Sequence, residues 1–340
     1  MPPLLRAIPP FSDTDYRAAL TRWESRTKPS GSLGRLESLA AQLAGIQERA
    51  LPVVREKRVL IFAADHGVAW AHPEISAYPA TVTGQMLQNF RSGGAAVCVL
   101  ARQVGATLSV ADVGVGEQEA TRDFSHEAAM SERDALRAWD AGTDAAAGLL
   151  PADVLALGEM GIGNTASASA LLCLLTGASA DETVGRGTGV DDAGFQAKRA
   201  LVAQAVALHA PHVGDTWGAL CAVGGKEIVA LCAAMIGAAH QRCAVVVDGF
   251  IVTVAALAAV RLAPELKPYL IFAHRGAAHA HELALSALDA EPLLTLGLRL
   301  GEGSGAVLAL PLIESAVRLL SEMAGFADAG VDTGRESRVH

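Results

Sequence analysis

Positive charge is in short supply. The 340-residue chain carries 27 Lys and Arg against 36 Asp and Glu, a formal net charge of −9. A general nucleic-acid binder needs a basic face, so that class is set aside. A local anion site built from backbone N–H groups is not. Cysteine is sparse as well. Cys98, Cys173, Cys221, Cys232 and Cys243 contain no C-x-x-C pair and sit in apolar stretches, which predicts buried free thiols in a reducing compartment. The opening MPPLLRAIPPF has prolines where a signal peptide needs an uninterrupted apolar run. The apolar GFIVTVAALAAV at 249–260 is too short to span a bilayer. A soluble, cytoplasmic protein without a membrane partner is the expectation. Aromatics amount to only 4%, and no segment is of low complexity.

What is present is aliphatic. Hydrophobic residues make up 51% and charged residues 19%, enough for a sizeable core and against disorder. The length suits one large domain or two smaller ones. Short β-branched runs alternate with alanine-rich helical stretches. Strands are predicted at RVLIFAA (58–64), TLSVADV (107–113), DVLALG (153–158), CAVVVD (243–248), PYLIFA (268–273) and, more weakly, PLLTLG (292–297). Helical patterns lie near 80–103, 124–148, 165–176, 192–209, 226–240, 250–262 and 278–289. Strands that read as continuous apolar runs are buried on both faces, which means an α/β protein with a mainly parallel, six-stranded sheet flanked by helices. Residues 1–50 hold only amphipathic helix patterns, and 305–330 is again helical. The two ends are expected to form a small helical subdomain beside an α/β domain over 51–304, with 331–340 a flexible tail.

In an open α/β sheet, ligands bind beyond the carboxyl ends of the strands. All six predicted strands run into unusual residues there: ADHG (64–67), DVGVG (112–116), GEMGIGNT (158–165), DGF (248–250), AHRG (273–276) and GLRLGEGSG (297–305). Gly161 and Gly163 would let the backbone approach a ligand, and the N–H groups of Asn164 and Thr165 would face it at a helix N-terminus, a ready anion site. Asn164 or Thr165 could equally be an ordinary N-cap. Gly187, Thr188 and Gly189 suit a nest of N–H groups around a phosphate. Asp191 or Asp192 reads as an N-cap, and Lys198, two turns into the helix, could reach back to that phosphate or merely face solvent. Asp65, His66 and Asp248 read as strand-end groups that fix loops or contact a ribose, and Asp248 could equally be buried and purely structural. Glu159 and Glu302 both lie among glycines. A carboxylate walled by backbone and apolar groups has a raised pKa and suits a general base; the alternative is a carboxylate that holds a loop. The histidines 274, 279 and 281 invite a metal reading, but i and i+2 point apart on a helix, so no metal and no cofactor is expected.

Nine stretches taken in order, KPSGSLGRLE, ADHGV, ISAYPATVTGQM, NFRSGGAAVCVLAR, GEMGIGNT, GRGTGVDD, VVVDGFI, GLRLGEGSGA and AGFADAGV, resemble the nicotinate-nucleotide–dimethylbenzimidazole phosphoribosyltransferase family of cobalamin lower-ligand assembly. The resemblance covers nearly the whole chain. It implies a Rossmann-like parallel sheet plus a small helical bundle from both termini, usually as a homodimer. The implied reaction transfers phosphoribose from nicotinate mononucleotide to 5,6-dimethylbenzimidazole, giving α-ribazole 5′-phosphate and nicotinate. The resemblance implies Glu302 as general base and Glu159 in the same site. The glycine loops and Lys198 would hold the phosphate. Tyr78 and Gln85, with Met160 and Leu300, would form the base pocket.

The chain departs from the family pattern after the fifth strand. Gly276 stands where a serine is usual, Ala278 where a glutamate is usual, and Ala280 where a glycine is usual. These changes motivate a second reading, a non-catalytic nucleotide- or base-binding relative. A third, a nucleotide-dependent oxidoreductase, rests on GIGNTA as G-x-G-x-x-A. It lacks the acid-tipped second strand about 20 residues on.

Overall fold

The computed structural model describes residues 5–187 and 189–332. Two helices come first, α1 (Asp13–Glu24) and α2 (Arg35–Gln47), then β1 (Lys57–Ala63), α3 (Gly67–Ala71), α4 (Val82–Arg91), α5 (Ala96–Gln103) and β2 (Thr107–Asp112). The middle of the chain holds α6 (Glu132–Ala147), β3 (Val154–Met160), α7 (Asn164–Thr176), α8 (Ala180–Thr183), α9 (Asp192–His209), α10 (Thr216–Val223) and α11 (Lys226–His240). It ends with β4 (Ala244–Val247), α12 (Phe250–Leu262), β5 (Leu270–Phe272), α13 (His279–Ala287), α14 (Ser304–Glu322) and α15 (Phe326–Ala329).

The five strands are all parallel, in the order β2-β1-β3-β4-β5. Val154–Leu157 of β3 and all of β4 and β5 are buried, because α11, α12 and α14 each pack on β3 and β4. Strand order reverses between β1 and β3, so a crevice opens beyond their carboxyl ends. The α/β class and parallel sheet are as the sequence predicts.

Three elements differ. The sixth strand is reduced to a single parallel bridge, His274 with Leu294. Pro292 has no N–H for a ladder, and Gly297, at φ +66°, turns the chain away soon after Thr295. The helix expected over 80–103 is two helices, broken where Gly93 adopts φ +74°. The helix expected from 124 starts only at Glu132, after a Ser131 cap that accepts the Asp134 N–H.

The terminal helices meet. α1 and α14 both pack on α2. Arg22 Nε donates to Leu320 O (3.2 Å), and the Thr27 N–H donates to Ala324 O (3.1 Å). Trp23 is buried, and its indole N–H donates to Glu37 O (3.1 Å). These helices share one continuous apolar core with the sheet. α14 is long and apolar enough to cross a bilayer, yet over half of it is buried inside the fold. Of the five thiols, all unpaired, Cys221 is only half-buried. Residues 333–340 of the expected tail lie outside the described residues.

The close crossing of α6 on α11 depends on Gly142. A Cβ there would lie 2.3 Å from Ala230 O, which is backbone and cannot step aside. Gly142→Ala should destabilise the protein by about 1–3 kcal/mol through overpacking, read as a lower urea midpoint with an unchanged slope.

Candidate active site

GLRLGEGSG forms a tight loop that feeds α14. Gly301, Glu302 and Gly303 are consecutive left-handed residues, with φ of +82°, +64° and +84°. Glycine tolerates this region, but a glutamate there is strained by about 1–2 kcal/mol. Several contacts impose the strain. The Gly303 and Ala306 N–H groups donate to Asp248 Oδ2 (3.1 Å) and Oδ1 (2.8 Å). Glu159 accepts the Glu302 N–H and the Asn164 side-chain amide. Gly158 on β3 lets the loop sit on the strand, since a Cβ there would stand 2.5 Å from the Glu302 carbonyl. The loop therefore rests on the carboxyl ends of β3 and β4.

Glu302 borders a cavity of about 510 Å³. Burial, then the negative charge of Asp248, raises its carboxyl to a pKa of about 7. Glu159 lines the same cavity. Burial, followed by Asp248 and Glu227, raises it to about 8 against the hydrogen bonds it accepts. A carboxyl half-ionised near neutrality can take up or release a proton without a large penalty.

Two glycine-rich turns form another wall of the cavity. Met160, Gly161, Asn164 and Thr165 line it where α7 begins, followed by Gly185, Arg186 and Gly187. The N-cap of α7 is Gly163 (φ +96°), with no side-chain cap, so Asn164 is free to bond Glu159. Asp191 caps α9 by accepting the Gly194 N–H (2.8 Å), and Asp192 pairs with Arg186. Lys198 lies beneath this wall, 2% exposed. Its Nζ donates to Thr165 Oγ1 (2.5 Å) and Gly185 O (3.3 Å). No carboxylate pairs with it among the described residues, and burial lowers its pKa to about 8. A buried, unpaired ammonium beside a helix N-terminus is a strong anion receptor. The cavity thus has two carboxyls in its lining, Glu159 and Glu302, and one buried ammonium behind it.

A family model described as "Phosphoribosyltransferase" matches residues 8–331. The chain belongs to this phosphoribosyltransferase family. Curated relatives named nicotinate-nucleotide–dimethylbenzimidazole phosphoribosyltransferase include those of Azotobacter vinelandii, 49% identical over 97% of this chain and 98% of the relative, and of Roseiflexus sp., 47% identical over 95% and 96%. The crystal structure of CobT from Thermus thermophilus superposes with a TM-score of 0.89 at 40% identity, covering 94% of this chain and 99% of that one.

Not every residue expected at the site reaches it. Leu300 lines the cavity, but Tyr78 and Gln85 do not. Tyr78 is 51% exposed. On α4 the buried residues are Thr83, Leu87 and Phe90, which turns Gln85 to solvent on the other side. Their segment touches the site indirectly, through the Ile162 N–H that donates to Thr83 Oγ1 (3.1 Å). Asp248 is also no wall of the cavity: both its oxygens are taken by the Glu302 loop. Gly163 and Gly189 lie outside the lining, and Thr188 falls outside the described residues. Gly276, Ala278 and Ala280 line the cavity. His281 braces their loop, accepting the Gly276 N–H on Nδ1 (2.9 Å) and meeting Thr253 Oγ1 with Nε2 (3.0 Å). Burial, then His274, lowers its pKa to about 4, so it stays neutral.

Sequence reasoning passed over Glu227. It is fully buried, 2.7 Å from His66 Nε2, and the His66 ring in turn lies under Gly161. An acid in the first turn of KEIVALCAA, apolar from Ile228 onward, was the available signal. Asp65, beside His66, fixes a loop by accepting the Gly116 N–H (2.7 Å).

Asp248→Asn removes a negative charge that raises the Glu302 pKa. The Glu302 carboxyl should then titrate below 7, toward its ordinary value, in ¹³C NMR of labelled protein; an unchanged titration would contradict this electrostatic coupling.

Proposed function

We propose that this chain transfers phosphoribose from nicotinate mononucleotide to 5,6-dimethylbenzimidazole or a related base, with inversion at the anomeric carbon. The observation that carries the reading is the polarity of one cavity. Glu302, a proton acceptor near neutrality, lines it, and the Lys198 ammonium, with no carboxylate partner among the described residues, lies behind the glycine-rich turns that also line it.

The chemistry matches. The ring nitrogen of nicotinate mononucleotide is already cationic, so nicotinate leaves with the bonding electron pair and needs no proton. The attacking benzimidazole nitrogen supplies its lone pair to the anomeric carbon, and the other nitrogen loses its proton to Glu302. One base is sufficient. Lys198 and the turns around Gly161 and Gly187 hold the phosphate, which fixes the ribose for attack on the face opposite the leaving group. Glu159 and Asp248 position Glu302, Met160 and Leu300 flank the base, and the α1–α2–α14 bundle supports the loop from behind. The enzyme works in the cytoplasm as a homodimer, consistent with its unpaired thiols and with the exposed Leu296 and Leu300, the latter in the cavity lining.

The binding-only alternative has its own observation, the small Gly276, Ala278 and Ala280 in the cavity wall. Chromatography of the two substrates with enzyme decides between them. Release of nicotinate with α-ribazole 5′-phosphate supports transfer, and its absence supports binding alone.

Four further outcomes are expected. Glu302→Gln should lower turnover by about 10²–10⁴-fold with little change in substrate affinity. In the native enzyme, kcat/KM should fall as pH drops below about 7, because the base must be ionised and Glu302 protonates there. Lys198→Met should weaken nicotinate mononucleotide binding by about 10–100-fold, the worth of a charge-assisted hydrogen bond, seen as a raised KM. In the native enzyme that affinity should decline as pH rises through about 8, where the ammonium loses its proton.

A further inference from the structure

Away from the cavity, three metal-ligating side chains converge. His72 ends α3, and Asp123 and His126 lie three residues apart in the loop between β2 and α6. His72 Nε2 stands 3.0 Å from Asp123 Oδ2, and His126 Nε2 stands 3.9 Å from the same oxygen. One donor atom from each lies within 4.8 Å of the other two. Donors on a tetrahedral cation with bonds of about 2.0–2.1 Å sit about 3.3 Å apart. The two shorter separations bracket that spacing, and small side-chain rotations would close the third.

The surroundings are built as an outer shell. The other nitrogen of His72, Nδ1, faces Glu74 Oε1 at 3.6 Å. The other oxygen of Asp123, Oδ1, accepts the Ser125 N–H (3.0 Å) and hydroxyl (2.7 Å). A ligating histidine backed by a carboxylate, and a ligating carboxylate that is itself hydrogen-bonded, are the usual partners around a bound metal. The loop is fixed in advance: Gln204 Nε2 donates to Ser125 O (3.0 Å), and His209 Nε2 lies 2.8 Å from Phe124 O. His126 is exposed, which leaves an entry path and room for water.

We propose that His72, Asp123 and His126 bind a zinc-class divalent cation, with water completing the coordination. Two imidazoles and one carboxylate suit Zn²⁺ and its neighbours and not Mg²⁺ or Ca²⁺. None of the three residues lines the active cavity. The cation is a staple. It ties the carboxyl end of α3, the helix that follows Asp65 and His66, to a loop held on α9, the helix that carries Lys198.

The test uses untagged, chelator-stripped protein titrated with Zn²⁺ by calorimetry and with Co²⁺ by visible absorption. The expected result is one equivalent bound at micromolar Kd or tighter, a tetrahedral Co²⁺ spectrum and a Tm raised by Zn²⁺. His126→Ala should weaken binding by at least tenfold while leaving the metal-free Tm and the transfer activity unchanged. His72→Ala should weaken it by at least as much. Absence of stoichiometric binding, or binding undiminished in both variants, would overturn the proposal. So would Mg²⁺ binding as tightly as Zn²⁺.

Discussion

One carboxylate holds the site together. Asp248, at the carboxyl end of β4, gives both oxygens to the backbone of the loop that begins α14. Through that pair of bonds the strand pins three successive left-handed residues, one of them a glutamate with a Cβ. A short loop would relax such a conformation if it were free. Here the Asp248 anchor, the Glu159 carboxylate and the bare backbone of Gly158 close off the relaxed alternatives. The Glu302 side chain is held by the rigid ends of two core strands, and the loop contributes only its position between them.

The second constraint is dehydration. Glu302, Glu159 and Lys198 are all removed from water, and burial is the leading cause of each shift. Burial drives the carboxyls up and the ammonium down, so all three approach the same range from opposite sides. Charge is costly at each of them while the cavity is empty. An anionic phosphate beside Lys198, or a proton delivered to Glu302, removes part of that cost. Fold stability is thus given up locally and recovered when ligand is present, as is common at functional sites.

Much of this can be read from the chain. Strands such as CAVVVD are buried on both faces and carry no competing pattern, and helices such as 192–209 begin at a readable Asp191 cap. PLLTLG misleads because its apolar content resembles a strand, whereas Pro292 and the turn at Gly297 leave it one bridge. The stretch 80–103 misleads because its amphipathic pattern continues across the break at Gly93. At the site, Glu302 is visible as a charge in unusual company, whereas Lys198 reads equally as a solvent-facing lysine until packing buries it. Tyr78 and Gln85 are harder to place, because a residue near a helix start can face either the cavity or solvent, and only packing of Thr83, Leu87 and Phe90 selects solvent.

The sequence by itself determined the layer architecture and the edge at which chemistry gathers. Local propensity and apolar patterning set element type, and parallel strands must all end on one side. It also carried the family, through nine ordered motifs. The tertiary structure alone decided what each polar group does there. It turned Asp248 inward as an anchor, joined His66 to a Glu227 that lies 161 residues away, and brought His72 beside Asp123 and His126. Those outcomes depend on which chain segments are adjacent across the sheet and on how much water is left between them, and neither quantity is local to any stretch of sequence.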